Sequence, residues 1–212
     1  FQIWQSSLLQ LMRHKDTVKV GCSLIGDEAL AAYGDPVHLR LEKDSSPLQN
    51  SHLACPAVRA YSANFYKVPA PFSLKLRATI DKGTIQVQPV YPFTTLAFHL
   101  VKQLVQVESV ETWPHPNRCI VQIRMPYLFF ADESVIIEQS ECPLDKKRKM
   151  NWRVVPGEFD IYGWQRPVNW SFEWDFSLGD FEVGTGEPMF ALRFRTPANP
   201  KADIIFQKQP VS

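Results

Sequence analysis

Apolar residues recur at every second position in one run after another along this chain. The clearest run is Val168 to Phe176, where Val168, Trp170, Phe172, Trp174 and Phe176 alternate with Asn169, Ser171, Glu173 and Asp175. A two-residue period scatters around a helix but lines one face of a strand. The spacing therefore predicts a strand with a large apolar inner face. Each ring of that size buries roughly 150–250 Å², enough for this strand to anchor a core.

The same period marks the rest of the chain. Thr17–Gly21 reads as a short strand, and Val37, Leu39 and Leu41 point inward from another. Phe72, Leu74 and Leu76 alternate with Ser73, Lys75 and Arg77. Asp81-Lys82-Gly83 then gives a turn signal, and Thr84–Val90 returns, so residues 72–90 read as a hairpin. Residues 94–110, rich in β-branched side chains, read as one bent strand or two. Cys119, Val121, Ile123 and Met125 share a face. Further short strands are expected at 135–138, 152–155, 159–161, 181–183 and 203–206. At 189–195 Phe190, Leu192 and Phe194 turn inward and Arg193 and Arg195 outward.

Helical patterning is sparse. Asp27–Tyr33 is the best short helix, residues 1–16 form a candidate N-terminal arm, and 197–212 a C-terminal tail. About ten short strands separated by turn signals, with no βαβ alternation, predict a single all-β domain over residues 1–212. Its architecture is a β-sandwich or β-clip-like roll with one or two short helical turns. If strand 168–176 lies beside strand 189–195, Glu173 and Asp175 fall opposite Arg193 and Arg195.

Composition narrows the picture. The hydrophobic fraction is 45%, the charged fraction 21% and the net charge +1. These are the values of an ordinary globular chain, and no cofactor is needed to hold it folded. The densest basic run, Lys146-Lys147-Arg148-Lys149, reads as a solvated loop, so nucleic-acid binding is not expected. No apolar run is long enough for a membrane-spanning helix. The start lacks the basic region and cleavage site of a signal peptide, and it begins at Phe1, as expected of a trimmed start. The four cysteines are widely and irregularly spaced, as reduced intracellular thiols are.

Candidate chemistry is thin. His52 and Cys55, with His115 and Cys119, supply the donor types of a tetrahedral zinc site. The two pairs are far apart in sequence, and Cys119 falls on an apolar strand face. A buried structural thiol with surface imidazoles is the competing reading. Glu158 with Asp160, and Glu173 with Asp175, are carboxylate pairs on one strand face, a pattern shared by acid–base sites and solvated strands. Asp160, Tyr162, Trp164 and Arg166 cluster near one turn, where an indole and a guanidinium can stack on a ligand or partner; an arginine lying over the indole to cover the sandwich is the competing reading. No nucleophile elbow, phosphate loop or iron-binding triad is present.

Two resemblances add expectations. The segment VVPGEFDIYGWQRPVNWSFEWDF followed by FEVGTGEPMFALRF, with Cys55-Pro56-Ala57-Val58-Arg59 and Leu128 to Asp132, resembles uncharacterised all-β proteins of marine tailed bacteriophages. It covers roughly residues 52–196 and brings no assigned activity. Gly157-Glu158-Phe159-Asp160, and Phe181-Glu182-Val183 through Gly186, Ala191 and Phe194, are similar to the β-clip fold of dUTPases. That resemblance implies a strand order; without an Arg-Ser-Gly phosphate motif it does not imply pyrophosphatase chemistry.

The sequence thus ranks two readings. The first is a non-enzymatic β protein that binds a protein partner or its own copies, in the manner of a virion accessory or decoration subunit, located in a host cytoplasm or a virion. The alternative is a small-ligand-binding or nucleotide-processing enzyme built around Asp160, Tyr162, Trp164 and Arg166.

Overall fold

The run of alternating rings is a strand, and its neighbours on both sides are strands too. A computed structural model of the protein describes residues 17–24, 36–38, 55–62, 65–81, 84–142, 151–163, 167–198 and 203–208. In it Trp170–Asp175 (β12) sits inside an antiparallel four-stranded sheet. The sheet order is β10 (Trp152–Val154), β12, β7 (Arg118–Ile123), β6 (Val105–Val107). Trp170, Phe172 and Trp174 are fully buried, as the alternation requires. Val168 is buried just ahead of the strand, and Phe176 packs half-buried in the 3-10 turn that ends it.

A second antiparallel sheet has the order β11 (Gly157–Asp160), β9 (Ile136–Ser140), β14 (Pro188–Arg195), β3 (Phe65–Pro69), β2 (Val37–His38). A third is β13 (Phe181–Val183), β4 (Leu74–Asp81), β5 (Thr84–Pro89). The fourth places β15 (Asp203–Lys208) parallel to β1 (Thr17–Leu24), with β8 (Tyr127–Ala131) antiparallel on the other side. The expected all-β class is therefore what forms, and among the described residues none of the sheets closes into a barrel. Two short helices, α1 (Pro56–Ser62) and α2 (Phe98–Leu104), complete the described elements together with short 3-10 turns.

Aromatic rings join these sheets into one core. Phe172 stacks on Phe181 at 4.3 Å, and Trp170 lies 6.3 Å from Phe190. Phe129 meets Phe194 edge-on at 5.7 Å, which ties the β1–β8 sheet to β14. Offset-stacked and edge-to-face pairs of this kind add about 0.5–1.5 kcal/mol each beyond simple burial. Buried residues of all four sheets belong to one cluster. In the β1–β8 pair, Gly21 lies opposite Phe130, and a Cβ on Gly21 would come within 2.0 Å of the Phe130 ring. The glycine makes room for a cross-strand aromatic, which covers its bare backbone.

Several local expectations hold. The hairpin 72–90 forms, with Asp81 paired to Thr84. Cys119, Val121, Ile123 and Met125 are all buried, and so are Phe190, Leu192 and Phe194. Strands occur at 17–24, 136–140, 152–154, 157–160, 181–183 and 203–208, where alternation placed them.

Three expectations are corrected. Strand β12 does not lie beside β14; it pairs with β10 and β7, so Glu173 and Asp175 meet Arg153 and Arg118, not Arg193 and Arg195. Alternation fixes which residues turn inward but not which strand lies alongside, and any neighbour carrying arginine can supply the countercharge. Residues 94–110 do not form strand throughout: residues 98–104 are helical, with Val101 and Leu104 buried at the i, i+3 spacing of a helix face. Val37 is 46% exposed on an edge strand, not inward. The arm 1–16, the helix Asp27–Tyr33, Leu39, Leu41 and the basic run Lys146–Lys149 lie outside the described residues.

Candidate functional site

The residues singled out by sequence separate when placed in the fold. Asp160 ends β11, where its carboxylate accepts from the Tyr162 backbone N–H at 2.9 Å and from the Ser134 hydroxyl at 2.5 Å. The Ser134 hydroxyl, aided by backbone donors of Tyr162 and Val135, holds its pKa below the usual aspartate range. Such a carboxylate fastens a turn. Tyr162 is 64% exposed. Trp164 and Arg166 lie outside the described residues, as does His52.

Of the candidate metal ligands, Cys55 is exposed just before α1 and His115 is exposed in the loop ahead of β7. His115 Nδ1 accepts from the Asn117 backbone N–H at 3.2 Å. Cys119 turns fully into the core, where burial pushes its thiol up to about 12. That is the reverse of what a thiolate ligand needs. Among the described residues no group of three or more ligating side chains comes together. Backbone N–H groups of Val58 and Ala57 lower the pKa of exposed Cys55.

Both carboxylate pairs are occupied. Arg153 grips Glu173 in a two-pronged bond, with Nε donating at 2.7 Å and Nη2 at 3.2 Å. Arg118 bridges Glu173 and Asp175 at 3.4 and 3.3 Å. Glu173 is consequently held below its usual pKa, chiefly by the Arg153 hydrogen bond. Glu158 is bonded by Arg195, and Glu138 lies 3.6 Å from Arg193. These charges stitch strands together across the sheet surface.

The feature sequence reasoning did not find is a half-open cleft of about 410 Å³ between the β4–β5 hairpin and the α2–β6 segment. Val87 and Pro89 form one wall, Val105 and Val107 the other, and Phe98 and Lys102 of α2 the end. Four consecutive residues of β5, 86–89, line it. Neighbouring side chains on a strand point to opposite faces, so what β5 presents is its edge. β5 and β6 are each terminal in their sheets, with no strand beyond them among the described residues.

The register tells which backbone groups face the cleft. Val90 N–H donates to Lys75 O, one step beyond the Leu76–Pro89 pair at which the β4–β5 register ends. Hydrogen-bonded and non-bonded pairs alternate in an antiparallel ladder. Gln88 and Gln86 therefore turn their backbone groups to β4, while Val87 and Ile85 turn theirs outward. On β6, Glu108 N–H donates to Ile120 O and Arg124 N–H to Leu104 O. By the same alternation Gln106 bonds β7, while Val105 and Val107 face outward. Among the described residues, the one partner found for these outward groups is Val101 O, which accepts from Val105 N–H at the end of α2.

The surroundings are apolar and lightly charged. Phe98 is 50% exposed, and Ile80, at the hairpin tip opposite Ile85, is 65% exposed. Lys102 Nζ sits 4.5 Å from the Phe98 ring centroid, and among the described residues no carboxylate pairs with it. No helix among the described residues is long and apolar enough to cross a membrane. Compared with known proteins, the chain matches no family model and no curated protein.

Proposed function

We propose that this chain works by binding another protein chain, and that the cleft between β5 and β6 is where it does so. The observation that carries the reading is the meeting, at one apolar opening, of two strand edges that have no neighbouring strand among the described residues. Soluble proteins ordinarily blunt such edges, because an open row of backbone donors and acceptors templates pairing with another chain. Half-exposed Phe98, which lines the cleft, adds contact area of the kind that anchors partners. The arginine partners of Glu158, Glu173 and Asp175 support the same reading, since those carboxylates are spent on holding strands. The bacteriophage-protein resemblance extends the proposal to a virion accessory or decoration subunit.

Site-specific photo-crosslinking tests this. A benzophenone side chain replacing Phe98 is expected to form adducts with a discrete protein partner in the source cell. The same group replacing Leu178, more solvent-exposed than Phe98 and remote in sequence from the cleft, is expected to form none. No protein adduct at 98, or equal adducts at both positions, overturns the reading. So does a nucleotide, sugar or metal ion that raises the melting temperature and loses that effect in Asp160→Ala.

A further inference from the structure

Resting on that reading, we infer that the occupant of the cleft is an extended peptide segment of the partner, added as a strand along β5 and carrying a carboxylate that reaches Lys102. The outward backbone groups of β5 belong to Ile85, Val87 and Pro89, every second residue. Their spacing is about 6.8 Å, twice the rise of an antiparallel strand. The ligand whose own donors and acceptors repeat at that distance is another extended chain. β5 provides donor and acceptor at Ile85 and Val87 and an acceptor alone at Pro89.

The opposite wall determines the side chains. Val105, Val107 and Phe98 offer apolar surface to one face of an added strand, so every second residue of the segment is apolar. Charge determines the rest. Among the described residues Lys102 is the only charged side chain lining the cleft, and nothing acidic lines it. An ammonium seated against an aromatic ring at a half-open apolar site favours an anionic partner group. The β5 edge is preferred to that of β6 because it is longer, with six residues against three, and because four consecutive residues of it line the opening.

The test uses the full chain and fluorescein-labelled six-residue peptides with valine at alternate positions and one terminal glutamate. Anisotropy is expected to show saturable binding. N-methylation of the amides that face β5 should abolish it, and glutamate replaced by lysine should weaken it at least about tenfold, the loss of one charge-assisted contact. Val87→Pro removes the outward donor without taking a bond from the β4 pairing, so the variant should fold and lose binding. Lys102→Glu, a surface change that leaves the backbone alone, should reverse the preference between the glutamate and lysine peptides. Equal binding of the N-methylated peptide, indifference to the peptide's charge, or no binding at millimolar peptide overturns the inference. Photo-crosslinks at residue 98 without peptide binding would retain a protein partner and reject the added strand, so the two readings fail separately.

Discussion

The four-stranded aromatic sheet and the hairpin beside it are built from the same alternating pattern, yet they differ in what they leave unfinished. In the first, β12 has a strand on each side, its rings are fully buried, and its outward acids are held by Arg153 and Arg118. In the second, β5 has a neighbour on one side only among the described residues, its valine is half-buried, and Lys102, which lines the cleft, lies over the Phe98 ring with no carboxylate paired to it among those residues. Completed pairing is what stability uses. An edge left open beside a second open edge, with apolar walls between them, is what recognition uses.

The comparison breaks most severely if the aromatic strand is not the core. Trp174→Ala should cost about 3–5 kcal/mol in urea denaturation, whereas Phe98→Ser should change stability by no more than about 0.5 kcal/mol. Equal losses would erase the distinction between the regions.

Chemical labelling gives the next largest contrast. Exposed Cys55, its thiolate favoured by the backbone donors of Val58 and Ala57, should alkylate readily at neutral pH. Cys119, pushed up to about 12 and walled in by the core, should react only after unfolding. Mass spectrometry of the native and unfolded protein distinguishes the two.

A finer contrast lies inside β12. The Trp174 indole N–H donates to Gly179 O at 2.9 Å, while the buried Trp170 indole N–H has no hydrogen-bond partner among the described residues. Tryptophan-to-phenylalanine changes remove similar volume at both sites. Trp174→Phe should therefore cost about 0.5–1.5 kcal/mol more than Trp170→Phe, the worth of one hydrogen bond.

The smallest effect is electrostatic. Glu173 has a folded pKa below its ordinary 4.5, so the unfolded chain takes up its proton first as pH falls. The stability this carboxylate contributes is full above that ordinary value and is lost as pH drops through the depressed folded one. Arg153→Met should therefore lower stability slightly at neutral pH, where the contribution is full, flatten the acid limb, and leave stability below the depressed folded pKa nearly unchanged.

How much of this was written in the chain differs by feature. Inner faces were legible because a period of two sorts side chains without reference to distant residues, as Cys119 to Met125 and Phe190 to Phe194 show. The hairpin was legible because Asp81-Lys82-Gly83 separates two alternating runs. Helix α2 was hidden: the β-branched residues flanking it, Thr94, Thr95, Val105 and Val107, suited a strand, and the i, i+3 pair Val101 and Leu104 was the signal to follow. Strand partners were not legible, since Glu173 is satisfied by any arginine that the topology delivers. The cleft was not legible for the same reason. Whether Val87 ends a sheet or sits inside one depends on which strands come to pair with it.

Backbone amide hydrogen exchange of the free, full chain, resolved residue by residue by NMR, tests the open-edge claim most directly. The amides of Ile85, Val87 and Val107 should exchange at nearly unprotected rates, while those of Gln86, Gln88 and Gln106, which the register turns toward β4 and β7, should be slowed. Protection of Val87 and Val107 equal to that of their neighbours would show both edges already paired, and would contradict the account.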